Sequence, residues 1–215
     1  MSRHFLFTNG IRQKVNEFRS WHLEAERWIE NNRGDRDWSA DTFSYHVKAT
    51  TRWLYHPDLV EECGSILSAH HTARPQDELI GVGHSWGTGV LADVLRDGWV
   101  RFDELHLIAS ALTSDMEKNG LAPALREGRV GQVHLYCSPD DEALKLGRLS
   151  KLWSWLAPNR LGYGQLGLTG PTNADRATSP GTLHVHWRHG FKHSDWFAVE
   201  NFGWLMRMVT NSGRE

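Results

Sequence analysis

Gly83-His84-Ser85-Trp86-Gly87 is the stretch whose residue types and spacing could do chemistry. A serine hydroxyl is a poor nucleophile until a base can take its proton. The base works best when an acid holds it in one orientation. Ser85 is the candidate nucleophile. Downstream, Asp140 and Asp141 offer the acid, and His189 and His193 offer the base. Together such groups attack a carbonyl carbon and transfer its acyl group. Asp115 is a rival acid, although an aspartate before a helix also serves as an N-cap.

These side chains must be brought together by the elements around them. Leu79 to Val82 is apolar and reads as a strand, and Thr88 to Leu95 reads as a helix. A serine between two glycines at a strand-to-helix turn stands above the sheet edge, and glycine permits the close approach of strand and helix. The helix that follows adds partial positive charge where an oxyanion would develop.

Other strands are expected at His4–Thr8, Thr42–Ala49, Glu104–Ala109, Gln132–Cys137 and Thr182–Trp187. Helical spacing runs from Arg12 to Asn32, through Val15, Phe18, Trp21, Ala25 and Ile29. A helix broken near His56-Pro57 resumes through Leu59, Val60, Ile66 and Leu67. Leu121–Arg129 is weakly helical. Glu142–Leu156 and Asp195–Val209 read as further helices. Ala157–Gly181 is rich in glycine and proline and reads as a long irregular excursion.

Strand and helix alternate six times, the signature of an open, mostly parallel sheet of about six strands with helices on both faces. Ligands of such sheets sit at the carboxyl ends of the strands. Ser85, Asn9-Gly10, Asp140-Asp141 and the loop after Trp187 all fall there. His193 just precedes the last helix and is preferred to His189, which follows the strand more directly.

The 215 residues suit one domain spanning 1–215. Hydrophobic residues make up 40% and charged residues 23%, as in ordinary globular chains. A net charge of −2 gives no basic footprint for nucleic acid. No apolar run is long enough for a membrane span. Two cysteines, Cys63 and Cys137, form no disulfide framework, so a cytoplasmic chain is expected. Eleven tryptophans are many. Most read as packing residues, Trp153, Trp155 and Trp204 among them, while Trp86 and Trp196 are candidates to line a pocket.

On these residues the chain resembles the α/β-hydrolase superfamily, and within it a compact group of bacterial and phage serine hydrolases. The resemblance runs through Phe7-Thr8-Asn9-Gly10-Ile11, Gly83-His84-Ser85-Trp86-Gly87, Tyr136-Cys137-Ser138-Pro139-Asp140-Asp141-Glu142-Ala143-Leu144 and His193-Ser194-Asp195-Trp196-Phe197. It implies an α/β-hydrolase fold without a large cap domain. It implies Asp141 as the acid, since similar sequences carry the aspartate just before an x-Ala-Leu step, with Asp140 and then Asp115 behind it. The usual His-Gly of the first oxyanion loop is Asn9-Gly10 here. The implied oxyanion donors are the Trp86 amide and an amide at Gly10 or Ile11. The implied reaction is cleavage of an ester or related acyl bond of a small-molecule substrate through an acyl-enzyme on Ser85. No cofactor is required.

Two other readings compete. His184, His186, His189 and His193 invite a metal, but no acidic or cysteine partner is near them in the sequence. They read instead as a polar sheet face and a loop, with no metal expected. The second reading is a binding or scaffold protein on a hydrolase fold, which would have no need of serine, acid and histidine together. Thioesterase or acyltransferase activity would use the same three residues.

Overall fold

The computed structural model describes residues 2–10, 20–45, 52–149, 164–176 and 181–212. Six strands form one all-parallel sheet: β1 (Arg3–Thr8), β2 (Trp38–Phe43), β3 (Glu78–His84), β4 (Phe102–Ile108), β5 (Val130–Cys137) and β6 (Thr182–Trp187). Their order is β2-β1-β3-β4-β5-β6. The helices are α1 (Trp21–Asn32), α2 (Arg52–Ala73), α3 (Gly87–Arg96), α4 (Leu121–Arg126), α5 (Glu142–Leu149) and α6 (Val199–Asn211). A single helical turn spans Leu166–Thr169.

Side chains alternate across each strand, so the sheet presents two apolar faces. Phe5 and Phe7 of β1 pack with α1, through Trp21, Ala25 and Ile29, and with α6, through Leu205, Met206 and Val209. Leu6 points the other way, into a cluster with α2, α3 and α4. The chain leaves β1 toward β2 and then returns to β3 on the other side of β1. That reversal opens a crevice between the carboxyl ends of β1 and β3, where doubly wound sheets bind ligands. Thr8 pairs with Gly83, so Gly10 and Ser85 leave the sheet beside one another.

Several expectations need correction. The second strand is Trp38–Phe43, not Thr42–Ala49. It pairs with all six residues of β1 and ends at Phe43. Tyr45 is buried for a different reason: its hydroxyl donates to the Asn9 carbonyl at 2.7 Å, and its own carbonyl accepts from Asn9 Nδ2 at 3.1 Å. Residues 46–49 of that expected strand lie outside the described residues.

The expected break at His56-Pro57 is absent. α2 runs through Pro57, which falls in its second turn and costs it one backbone hydrogen bond. The last expected helix is a 3₁₀ turn, Asp195–Phe197, followed by α6 from Val199. Ile11, the first part of the helix expected from Arg12, Trp153, Trp155 and residues 157–163 and 177–180 of the Ala157–Gly181 excursion lie outside the described residues. No helix among the described residues is long and apolar enough to cross a membrane.

On the α6 side of the sheet the histidines of β4, β5 and β6 fall in register. His106 pairs with His134, and His134 with His184. Their rings stack with centroids 4.5 and 4.6 Å apart. His184 is exposed at the sheet edge, while His106 is fully buried beside Glu104. The buried Arg3 guanidinium donates to Glu104 Oε1 at 2.5 Å and to the Thr210 carbonyl at 2.7 Å. This fastens the end of α6 to the sheet.

Burial pushes His22 and His186 from 6.5 down to about 4. Burial also lowers His106. These rings stay neutral in the fold, whereas an unfolded chain takes up protons near 6.5. Below that value the unfolded state binds more protons, so stability is full above it and is lost as pH falls through about 4. Urea midpoints are therefore expected to fall steadily from about pH 7 to about pH 4.5. A flat profile would contradict neutral burial of these histidines.

Candidate active site

The turn after β3 is built by backbone crowding. A Cβ at Gly83 would lie 3.0 Å from the Thr88 nitrogen. A Cβ at Gly87 would lie 2.5 Å from the Asn9 carbonyl oxygen, in the exit of β1. At Gly87 only glycine fits, and at Gly83 any side chain would press on the backbone of the turn. Between them Ser85 takes φ +54°, a left-handed conformation that L residues rarely adopt. Its neighbours hold it there. The Ser85 amide donates to the Ile108 carbonyl at 3.0 Å. The Ser85 carbonyl accepts the Thr88 hydroxyl at 2.6 Å, and that hydroxyl lies 2.9 Å from Ser110 Oγ.

Asp141 stands at the head of α5, just beyond β5, and is fully buried. Its Oδ1 accepts the Leu144 amide at 3.0 Å, capping the helix. Its Oδ2 accepts a hydrogen bond from His193 Nδ1 at 2.7 Å. That bond fixes the tautomer and leaves Nε2 as the basic nitrogen. Neither His193 Nε2 nor the Ser85 hydroxyl makes a hydrogen bond among the described residues.

His193 sits on the loop after β6, and three further bonds tie this loop down. Ser138 Oγ donates to the Phe191 carbonyl at 2.6 Å. The Gly190 amide donates to Asp140 Oδ2 at 2.6 Å. His84 Nε2 donates to the carbonyl of His193 itself at 3.1 Å. The rings of His84 and His193 lie 4.7 Å apart. His84 is the residue before Ser85, so the histidine loop is joined directly to the serine turn. Full burial drives the His84 imidazole far below its ordinary value, so it stays a neutral donor. Sequence reading treated His84 only as a motif position. The signal was its polarity at the end of an otherwise apolar strand.

The other expected site residues divide. Gly10 is in the crevice: a Cβ there would lie 3.0 Å from Ser85 Cβ and 3.2 Å from His84 Nδ1. Trp86 opens the turn into α3. Ile11 is outside the described residues. Asp140 serves the Gly190 amide. Asp115 caps a turn, accepting the Glu117 amide at 3.1 Å and Asn173 Nδ2 at 3.2 Å. His189 is exposed.

Trp86 and Trp196 are both buried in the core. Trp196 packs edge-on against Phe191 and Tyr136, which steadies the histidine loop. Trp86 packs edge-on against His56. His56 belongs to a second histidine–aspartate pair, with Asp93 at 2.7 Å, that joins α2 to α3 behind the turn. Nothing in the linear spacing marks that pair.

The four histidines weighed as a metal set do not come together. His193 goes to Asp141, while His186 Nε2 meets His134 Nδ1 at 3.2 Å.

No family model and no curated protein sequence matches the chain. Solved structures do. An uncharacterized protein from Bacillus cereus is similar with a TM-score of 0.62 at 14% identity, over 99% of this chain and 60% of its own. The chain therefore spans three fifths of that protein's length. A hormone-sensitive lipase from a metagenome library gives 0.57 at 12% identity, over 96% of this chain and 75% of its own. The NocB thioesterase domain from the nocardicin cluster gives 0.53 at 11% identity, over 100% of this chain and 95% of its own. The chain has the α/β-hydrolase fold, as the sequence resemblance implied.

A short bond from His193 Nδ1–H to a buried carboxylate predicts a strongly downfield imidazole proton in the NMR spectrum. Asp141→Asn is expected to remove one such resonance, and Asp115→Asn to leave all of them. A spectrum unchanged by Asp141→Asn would contradict the pairing.

Proposed function

We propose that the protein is a serine hydrolase that cleaves an ester or related acyl bond through an acyl-enzyme on Ser85. The observation that carries this reading is the pairing of His193 with the buried Asp141, on a loop bonded to the residue beside Ser85. A scaffold would gain nothing from a carboxylate-oriented imidazole on a loop tied to the residue before a strained serine.

His193 Nε2 takes the Ser85 proton as the hydroxyl oxygen attacks the substrate carbonyl. Asp141 holds the imidazole and stabilises its charged form. The tetrahedral oxyanion develops between the head of α3 and the exit of β1. Its donors are the Trp86 amide and an amide at Gly10 or Ile11. One such donor is commonly worth about 3 kcal/mol of barrier. Protonated His193 then gives its proton to the leaving alcohol. Water, deprotonated by the same nitrogen, releases the acyl group and regenerates Ser85. The chemistry needs no metal or organic cofactor. An ester, a thioester and an amide would all pass through these steps. The substrate is a small acyl compound, and the chain is taken to act as one domain in the cytoplasm.

Turnover of an activated short-chain ester is expected to fall about 10⁴-fold or more in Ser85→Ala and about 10³- to 10⁴-fold in Asp141→Asn. Circular dichroism should show both variants folded. Wild-type turnover in folded Ser85→Ala would remove Ser85 from the reaction.

A further inference from the structure

A second cluster of reactive side chains lies at the other end of the sheet. There β1 and β2 run side by side under the last turns of α2. His4 comes from β1, Asp41 from β2 and His70 from α2. One ligand atom from each lies within 4.8 Å of the other two. His4 pairs in register with Leu79, six residues before Ser85. At about 3.3 Å per residue the cluster is roughly 20 Å from the serine.

His4 is 1% exposed. Its Nδ1 lies 3.0 Å from Ser39 Oγ. Its Nε2 is buried and has no hydrogen-bond partner among the described residues. An orphaned buried nitrogen is costly and calls for a physical reason. The nearby charge is Asp41, whose Oδ2 is 3.7 Å away. That is too long for a hydrogen bond. It is a span that one ion can bridge, with bonds of about 2.0–2.2 Å to nitrogen and to oxygen.

His70 is prepared in a matching way. Its Nε2 donates to Asp77 Oδ2 at 3.0 Å. The Asp77 side chain is fully buried and is fixed by Ser2 Oγ at 2.6 Å and Arg74 Nε at 3.0 Å. A carboxylate behind Nε2–H leaves Nδ1 as the lone-pair nitrogen, and metal-binding histidines are oriented by such a partner. The Asp41 side chain is 58% exposed, so the cluster opens to solvent on one side.

The other grouping of this kind, Glu104, His106 and His134, lacks these features. His106 Nδ1 accepts the Tyr136 hydroxyl at 3.0 Å, and its Nε2 meets Glu104 at 3.3 Å. Both nitrogens of His134 are also engaged, with His186 and with Gln132. An ion there would have to break a satisfied network.

We propose that His4 Nε2, His70 Nδ1 and the Asp41 carboxylate bind one zinc-like divalent cation, with water completing a four-coordinate shell. Two imidazoles with one carboxylate favour zinc and its first-row neighbours over magnesium or calcium. The two rings now stack, with centroids 3.6 Å apart and planes at 18°. In-plane lone pairs of stacked rings do not converge, so binding turns one ring. His70, the more exposed of the two, would pivot about its Nε2–Asp77 hydrogen bond, which keeps Nδ1 as the ligand nitrogen. The ion would clamp β1, β2 and α2 together at a distance from the chemistry. It would stabilise the folded chain by mass action, because the unfolded chain has no assembled site.

The test is a zinc titration of the untagged, chelator-stripped full chain against a chromophoric competitor, with melting temperature followed in parallel. Wild type is expected to take up one equivalent and to melt higher with zinc. Asp41→Asn, at an exposed position that leaves the core intact, and His70→Gln should each weaken uptake at least tenfold and abolish the thermal shift. His71→Gln, at the exposed neighbouring position, should behave as wild type. Wild type without stoichiometric uptake would overturn the site. So would Asp41→Asn binding as tightly as wild type, or His71→Gln losing as much as His70→Gln.

Discussion

Three stretches of backbone are forced together at one point: the exit of β1, the end of β3 and the start of α3. Gly87 lies against the Asn9 carbonyl, and Gly83 against the Thr88 amide. With no room for a gentler path, the chain turns through Ser85 at φ +54°. A side-chain residue in that region costs on the order of 1–3 kcal/mol, so its surroundings must over-determine it. They do: Ile108 holds the Ser85 amide, while Thr88, itself bonded to Ser110, holds its carbonyl. The strained residue is the one that leaves the sheet where the carboxyl ends of β1 and β3 lie side by side.

The histidine loop depends on the same point. It leaves β6, at the edge of the sheet, and must reach across β5 and β4 toward β3. Asp140, Asp141 and Ser138, all at the exit of β5, hold its middle. His84 holds its far end. His193 is thus joined both to Asp141 and to the serine turn. Trp196 and Phe197 anchor the following turn in the core, against Tyr136 and against Trp21.

Much of this was legible from residue order alone. The parallel sheet followed from alternating elements, and the crowding at Gly83 and Gly87 from their spacing about a serine. The link between Asp141 and His193 came from the resemblance, which also separated Asp141 from Asp140. What escaped were contacts set by register. The meeting of His106, His134 and His184 depends on how β4, β5 and β6 align, which local sequence does not encode. The pairs His56–Asp93 and His70–Asp77 each need a helix to be seated first. Tyr45 misled the strand boundary because it is buried by hydrogen bonds to Asn9 rather than by continuing the ladder.

The carboxyl ends of the strands carry Ser85 and the Asp141–His193 pair. The cluster around His4 lies toward the opposite ends of β1 and β2. The claim on which most rests is that the Ser85 hydroxyl is unusually nucleophilic in the folded chain. Treating native protein with a fluorophosphonate and locating the adduct by peptide mass spectrometry tests it most directly. A single adduct on the peptide holding Ser85, absent when the chain is unfolded first, is the expected result. Folded protein that takes up no reagent, or takes it up at another serine, would contradict it.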